Sequence, residues 1–143
     1  MNLKICKLHP DAIVPQYATE GAACFDIHAI EGGRVPGYAA ETFRTGLAFE
    51  VPEGYALMVY SRSGQGFKNG HRLANCVGVL DSDYRGELMV RLHNDKPTGF
   101  EYEAGDRIAQ AMLVQVPRVQ FEVVEQLSLT ERGANGFGST GVK

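Results

Sequence analysis

The sequence predicts an all-β domain, a jelly roll or barrel built from many short strands. Its 17 glycines and 6 prolines are spread along the chain and divide it into short apolar runs. Several of these runs alternate apolar and polar residues, as half-buried strands do, and no long amphipathic helical pattern occurs. A length of 143 residues suits a single core, so we expect one domain over residues 1–143.

The strand candidates follow one another from the N-terminus. Leu3–Leu8 alternates with a period of two, and Ala22–Ala29 follows a glycine and alternates in its middle. Thr42–Val51 ends at Pro52-Glu53-Gly54, a favourable turn sequence. The later candidates are Tyr55–Tyr60, Leu73–Leu80, Leu88–Leu92, Arg107–Val116 and Val119–Val124.

One of these segments has a helical alternative. Residues Arg107–Gln115 have adequate helix propensity, and Gly105-Asp106 would serve as a helix start. Val114 and the valines that follow it favour a strand instead. We therefore predict a strand, with at most one short helix in the whole domain.

The stretch between residues 75 and 92 predicts a β-hairpin with an unusual turn. Asn75–Leu80 and Leu88–Leu92 are short apolar flanks, and Asp81-Ser82-Asp83-Tyr84-Arg85-Gly86 joins them. A plain hairpin would carry Asn-Gly or Asp-Gly at its tip. Two interpretations stay open at this point, a solvated loop and a loop that carries chemistry.

Two glycine-bearing segments have the composition of phosphate-binding sites. Arg62-Ser63-Gly64 follows a strand candidate and offers a guanidinium, a hydroxyl and a backbone N–H, although such a sequence also makes ordinary surface turns. Residues 131–143 contain four glycines between Gly133 and Gly141. They predict a flexible arm, which is either a frayed terminus or a segment that orders on a ligand. In the second case Arg132 supplies charge and Phe137 stacks on a base.

Composition and missing motifs exclude several functions. A net charge of −3 argues against general nucleic-acid binding. The N-terminus has no secretory apolar run, and no run is long enough to cross a membrane. Three widely spaced cysteines fit reduced thiols, so we expect a cytoplasmic protein. The sequence has no P-loop, dinucleotide fingerprint, zinc-deaminase signature or nucleophile elbow, and its four histidines lack metal-ligand spacing.

Five motifs in order resemble one family, the trimeric dUTP diphosphatases (dUTPases), over nearly the whole chain. They are Gly21–Ile27, Ser61–Gly64, Asn75–Glu87, Gly105–Gln110 and Arg132–Gly141. The resemblance implies hydrolysis of dUTP to dUMP and pyrophosphate, which keeps uracil out of DNA and supplies dUMP for thymidylate synthesis. It also implies a homotrimer of jelly-roll-like subunits with active sites at the subunit interfaces.

The resemblance assigns the third motif to the pyrimidine and the sugar. Asp81 would be the general base that deprotonates the water attacking the α-phosphorus. Tyr84 would lie under the deoxyribose and reject a ribose 2′-OH. Asn75 would hydrogen-bond the uracil edge. The hairpin strands would leave too little room for the thymine methyl, so Gly78 or Gly86 would matter through the side chain that it lacks.

The other motifs would bind the triphosphate and its ion. Their phosphate ligands would be Arg62, Ser63, Gly64 and Gln110. The closing arm would add Phe137 on the uracil face and Arg132, Ser139 and Thr140 around the phosphates. One Mg²⁺ would be held chiefly by phosphates and waters, with Asp26 either contacting its water shell or accepting a hydrogen bond at a strand end.

The chain departs from the family pattern at three places. Ser61 stands where proline is usual, Cys24-Phe25 replaces a commoner Gly-Tyr or Gly-Leu, and Asn135 replaces glycine in the arm. Asn tolerates a left-handed backbone, so the arm's turn is expected to survive. Two rival functions stay open: a dCTP deaminase, alone or bifunctional, and a nucleotide-gated interaction protein.

Overall fold

The computed structural model describes residues 1–136 and contains ten strands with one five-residue π-helix, Gln65–Asn69. The strands are β1 (Lys4–Lys7), β2 (Phe25–His28), β3 (Gly33–Val35), β4 (Ala40–Glu50), β5 (Tyr55–Tyr60), β6 (His71–Leu73), β7 (Val77–Leu80), β8 (Glu87–Asn94), β9 (Phe100–Tyr102) and β10 (Arg107–Gln115).

The strands form two four-stranded sheets around one core. The first sheet has the order β1-β4-β8-β6, the second has the order β2-β10-β5-β7, and β3 pairs with β9 separately. Every pairing is antiparallel. Phe43 and Phe49 from the first sheet and Ile27, Leu57 and Ile108 from the second are at most 2% exposed. The predicted all-β class is confirmed, because two layers bury their apolar faces against each other.

Most of the predicted strands are present. β1, β2 and β4 lie in or across their predicted ranges, and β5 matches the prediction at both ends. Arg107–Gln115 is strand β10, so its helical alternative is wrong. β10 lies between β2 and β5 and pairs with both, so its backbone hydrogen bonds are made across the sheet.

Two strand predictions are wrong. Leu73–Leu80 is not one strand but two, β6 and β7, separated where Cys76 takes a left-handed backbone (φ 65°). Val119–Val124 forms no strand, and Phe121 and Val123 are more than 90% exposed. Apolar, β-branched composition favoured a strand there, but no described segment of this chain pairs with it.

The predicted β-hairpin is also wrong in its pairing. β7 pairs with β5 in the second sheet, whereas β8 pairs with β4 and β6 in the first. The loop 81–86 therefore crosses from one sheet to the other. The alternation of apolar and polar residues indicates which side chains of a strand are buried. It does not indicate which other strand is its neighbour in the sheet.

Within residues 1–136, none of the helical structure is both long and apolar enough to cross a membrane.

Candidate active site

A cavity of about 590 Å³ opens between β7 and β8, the two strands that the 81–86 loop connects. Because these strands belong to different sheets, we call it the inter-sheet cavity. Its volume lies within the range of roughly 300–1,000 Å³ that is usual for small-molecule sites. Four residues predicted from the sequence line it: Asn75, Gly78, Asp81 and Tyr84.

Asp81 stands immediately after β7, whose last residue, Leu80, is buried in the core. The Asp81 side chain is exposed, and its carboxylate accepts no hydrogen bond from any residue between 1 and 136. Both oxygens are thus available to water, and an ionised carboxylate can only accept hydrogen bonds. A carboxylate held at a cavity wall in this way can orient a water molecule.

The rest of the loop is held by its own hydrogen bonds. The Tyr84 N–H donates to the Asp81 carbonyl at 3.2 Å, and the Tyr84 hydroxyl donates to the Glu87 carbonyl at 3.2 Å. Arg85 Nη1 donates to the carbonyls of Ser82 and Tyr84 at 2.8 and 3.0 Å. The Tyr84 ring lies against Gly86, which does not itself line the cavity.

Gly78 lies in the part of β7 that pairs with Val59 of β5. A Cβ built on Gly78 would stand 3.2 Å from the Val59 Cβ and 3.8 Å from Asn75 Nδ2. A side chain at this position would therefore crowd the cavity wall beside Asn75, since a spacing of 3.2 Å is tighter than an ordinary carbon contact.

The sequence did not indicate the role of Glu87. Its side chain is 16% exposed and accepts hydrogen bonds from the Gly46 N–H at 2.8 Å and from Arg44 Nε at 3.2 Å. Gly46 has φ +66° and lies where the β4–β8 register shifts. Glu87 thereby ties the end of the loop to β4. The acidic residue after Gly86 was visible in the sequence, but its partners on β4 were not.

A second group of residues, all of them except Arg107 predicted as site residues, lies near the Tyr60 end of β5. We call Asp26, Arg62, Ser63, Gly64, Arg107 and Gln110 the Arg62 cluster. Arg62 Nε donates to Asp26 Oδ1 at 2.9 Å, and Arg107 Nη1 donates to Asp26 Oδ2 at 3.3 Å. Asp26 is 15% exposed and Arg62 is 23% exposed, so this ion pair is well shielded from solvent. The cluster contains two guanidinium groups and one carboxylate, which leaves an excess of positive charge.

The loop after β5 is fixed from two sides. Gln110 Nε2 donates to the Ser61 carbonyl at 2.9 Å, and Ser61 Oγ accepts from the Leu73 N–H at 2.9 Å. Ser63 and Gly64 follow and are exposed, and nothing stands within 4 Å of a Cβ built on Gly64. Both residues are therefore exposed to solvent, where a ligand can reach the Ser63 hydroxyl and the Gly64 backbone.

His28 lies close to the same charges at the end of β2. Burial lowers the pKa of His28 from its usual value, the charge of Asp26 opposes this shift, and Arg107 and Arg62 add to it. The His28 Nδ1 atom is buried without a hydrogen-bond partner among residues 1–136. Neutral imidazole is therefore the favoured form beside this cluster.

Asp81 and Arg62, one from each group, lie beyond opposite ends of the β5–β7 pairing. Leu57 pairs with Leu80, which precedes Asp81, whereas Arg62 lies five residues further along. At about 3.3 Å per residue, Leu57 and Arg62 are separated by at most roughly 17 Å. Leu73, which lines the cavity, donates to Ser61 beside Arg62, so the predicted residues form two neighbouring groups.

The predicted C-terminal residues are only partly described. Arg132 is exposed, and its Nε donates to the Asn135 carbonyl at 2.9 Å. Phe137, Ser139 and Thr140 lie outside the described residues.

No group of three or more histidine, cysteine, aspartate or glutamate side chains within residues 1–136 could hold a metal ion. Both oxygens of Asp26 already face guanidinium groups, though each keeps a further acceptor position. The described donor set fits an ion that is carried by a ligand and by waters, because Mg²⁺ usually retains waters and binds substrate phosphates.

The family model of dUTPase matches residues 10–141. The chain belongs to the dUTPase family. A deoxyuridine 5′-triphosphate nucleotidohydrolase of Nautilia profundicola is 47% identical over 141 residues, 99% of each chain. A Staphylococcus bacteriophage 80alpha dUTPase, solved with dUpNHpp, is 27% identical over 99% of each chain, with a TM-score of 0.91.

A mutant dUTPase of the S. aureus phage phi11, which coordinates a structural Mg(II) ion, supports the fold alone. It is 21% identical, covers 88% of this chain and 98% of its own, and has a TM-score of 0.81.

Proposed function

We propose that this dUTPase-family chain hydrolyses dUTP to dUMP and pyrophosphate by attack of water on the α-phosphorus. The observation that carries the proposal is the inter-sheet cavity, where Asn75, Gly78, Asp81 and Tyr84 stand around one ligand-sized space. The name of the relative with 47% identity over the whole chain supports the same reaction.

Asp81 is the proposed general base. It orients the attacking water and takes its proton as the bond to phosphorus forms and the bond to the pyrophosphate oxygen breaks. An exposed aspartate is a weak base, so positioning and neutralisation of phosphate charge must supply much of the rate. The absence of a protein partner for its carboxylate among residues 1–136 supports this role.

Recognition of the base and sugar belongs to the same cavity. Asn75 hydrogen-bonds the uracil edge through its amide, and the tight packing of Gly78 against Val59 leaves little room for a thymine methyl. Tyr84, held to the Glu87 carbonyl, contacts the deoxyribose and rejects a 2′-OH. A steric filter of this kind discriminates by roughly 1–3 kcal/mol per group.

The triphosphate binds the Arg62 cluster. Arg62 donates to phosphate oxygens while Asp26 holds its Nε, and Ser63 and the Gly64 N–H add neutral donors. Gln110 positions the loop by donating one amide N–H to the Ser61 carbonyl, and its second N–H remains for the phosphate. We propose that residues 131–143 belong to this single domain as a closing arm and that Arg132, Phe137, Ser139 and Thr140 contact the nucleotide from it.

Mg²⁺ is the proposed cofactor. It would neutralise charge on the phosphate oxygens when bound with substrate. Within this chain, Asp26 is the residue that would reach its water shell.

A homotrimer is the proposed assembly. The placement of Asp81 and Arg62 beyond opposite ends of the β5–β7 pairing supports a site composed from more than one copy, because the α-phosphate must lie near both the base and the phosphate donors. The apolar residues after β10, among them Phe121 at 93% and Val123 at 99% exposed, also support burial against a second copy. Three free thiols support a cytoplasmic location.

The test is pyrophosphate release from dUTP, dCTP, dTTP and UTP, measured side by side with Mg²⁺. We expect rapid release from dUTP alone. Ammonia release from dCTP would replace the proposal with the deaminase, and no turnover of any nucleotide would favour the nucleotide-gated interaction protein. Sedimentation of the full chain tests the trimer separately.

A further inference from the structure

The Tyr84 ring occupies the space that a side chain at position 86 would need. An ideal Cβ built on Gly86 would stand 2.3 Å from the Tyr84 hydroxyl oxygen, 2.5 Å from its Cζ and 3.0 Å from its Cε2. Carbon atoms in contact prefer separations of about 3.5–4.0 Å. Every residue except glycine at position 86 would therefore displace the ring or the loop.

The backbone does not explain this glycine. Among residues 1–136, the glycines with positive φ include Gly46, Gly54 and Gly105 but not Gly86. The φ angle at position 86 is thus open to other residues, and the three nearest atoms that a Cβ would meet all belong to Tyr84.

Glu87 fixes the ring from the other side. The Tyr84 hydroxyl donates to the backbone carbonyl of Glu87. The Glu87 carboxylate in turn accepts hydrogen bonds from Arg44 and from the Gly46 N–H. Gly46 lies in a closely packed place, since a Cβ built there would stand 3.0 Å from the Cβ atoms of Ala12 and His9. Through Glu87, the hydroxyl of Tyr84 is in this way connected to a closely packed part of β4.

We propose that Gly86 determines sugar specificity by positioning Tyr84. Its missing side chain lets the ring pack directly over the backbone, where it excludes a ribose 2′-OH. This inference rests on the proposed function, in which Tyr84 is the contact to the sugar. Gly86 then has no part in rejecting thymine: of the two glycines, only Gly78 lines the inter-sheet cavity.

The experiment is a double-mutant cycle measured by kcat/KM for dUTP and for UTP. The proteins are the wild type, Gly86→Ala, Tyr84→Ala, the double variant and Gly21→Ala. Gly21 is the matched control, because a Cβ there meets nothing within 4 Å and its φ is not positive. The cycle isolates coupling between residues 84 and 86, since non-additivity reports direct interaction.

We expect Gly86→Ala to lower the dUTP-over-UTP ratio by about tenfold, the size of a lost steric filter. Tyr84→Ala should lower it at least as much, and the double variant should match Tyr84→Ala. Gly21→Ala should keep the wild-type ratio. An unchanged ratio in Gly86→Ala, an unchanged ratio in Tyr84→Ala, or an effect of Gly86→Ala that persists without Tyr84 would each overturn the inference.

A second measurement separates this inference from the reaction itself. NMR of tyrosine-labelled protein without nucleotide follows the Tyr84 ring, assigned with Tyr84→Phe. Gly86→Ala should shift the Tyr84 resonances and Gly21→Ala should not; an unshifted ring would overturn the positioning role. A wild type that releases no pyrophosphate from dUTP would contradict the proposed function, while the NMR result still decides the contact.

Discussion

The inter-sheet cavity and the Arg62 cluster are held in place by different kinds of interaction. The part of the cavity beside Asn75 and Tyr84 is shaped by packing and by a neutral hydrogen bond: Gly78 against Val59, Gly86 against Tyr84, and the Tyr84 hydroxyl on a carbonyl. The ion pair of Glu87 with Arg44 lies at the end of the loop. The Arg62 cluster is held by charge, with Asp26 between two guanidiniums. Shape can distinguish a uracil from a thymine or a deoxyribose from a ribose, whereas charge binds any triphosphate. Changes in the cavity should therefore alter specificity, and changes in the cluster should alter affinity for all nucleotides alike.

The strongest test of this division is Asp81→Asn. We expect kcat for dUTP to fall by roughly 10³-fold, because a general base typically contributes 10²–10⁴-fold. Binding of dUTP should change little, since the Arg62 cluster is intact. Stopped-flow turnover and calorimetric binding measure the two quantities. Asp83→Asn is the matched control from the same loop and should resemble the wild type; strong activity in Asp81→Asn would remove Asp81 from its role.

Deleting residues 132–143 tests the proposed C-terminal arm, which belongs to neither the inter-sheet cavity nor the Arg62 cluster. We expect activity to fall by roughly 10²-fold through lost positioning of the nucleotide. The thermal midpoint should stay near that of the full chain, because the described residues 131–136 are largely exposed and Arg132 bonds only within this segment. A collapse of the thermal midpoint would show instead that the arm is structural.

Asp26→Asn tests whether the charges of the Arg62 cluster affect nucleotide affinity without affecting sugar specificity. Loss of the carboxylate removes the charge-assisted partner of Arg62, so we expect KM for dUTP to rise about tenfold. The ratio of dUTP to UTP should stay constant. Glu101→Gln, which breaks the exposed Arg34–Glu101 pair, is the control and should leave KM unchanged.

The same variant distinguishes the two interpretations of Asp26. If it holds Arg62, the tenfold change should persist at every Mg²⁺ concentration. A defect that saturating Mg²⁺ removes would instead assign Asp26 to the water shell of the ion.

The smallest expected effect is the pH dependence of stability, and it comes from a buried histidine that belongs to neither the cavity nor the Arg62 cluster. His71 is 2% exposed, its Nδ1 lies 2.7 Å from the Tyr102 hydroxyl, and burial lowers its pKa, assisted by Lys96 and opposed by Asp95. Burial also raises the pKa of Tyr102 to about 12, so the phenol stays neutral. Since the native pKa of His71 is below the unfolded value, the unfolded chain binds more protons between the two values.

The free energy of unfolding should therefore fall as pH drops through about 6.5 toward the native pKa of His71. Its slope is limited to about 1.4 kcal/mol per pH unit for one histidine. Urea unfolding between pH 5 and 8 measures it. His71→Gln should flatten the slope in part, with His28 supplying the remainder; an equal slope in both proteins would contradict this assignment.

The sequence predicted most of the long strands but not the shortest ones. Both ends of strand Tyr55–Tyr60 were predicted correctly, because its apolar run is bounded by turn residues on one side and by polar residues on the other. The three-residue strands β3, β6 and β9 contain too few residues to show a period. Val119–Val124 was mistaken for a strand because composition indicates propensity without indicating a partner.

The candidate site divides in the same manner. Asp81, Tyr84, Asn75 and Arg62 were identified from residue types and motif order, which are properties of the linear sequence. The contact of Gly86 with Tyr84 and the hold of Asp26 on Arg62 were not. Gly86 had been assigned jointly with Gly78, because two glycines in a sequence look alike until something is seen to occupy the space beside them.

The sequence by itself thus determined the fold class, the family and the chemical groups available for the reaction. Periodicity and local motifs depend on residues close along the chain, so they can be read without a partner. Only the tertiary structure decided that β7 and β8 belong to different sheets, that a cavity opens between them, and that Glu87 links the loop to β4. These features depend on contacts between residues far apart in the chain, and such contacts exist only once the two sheets have packed.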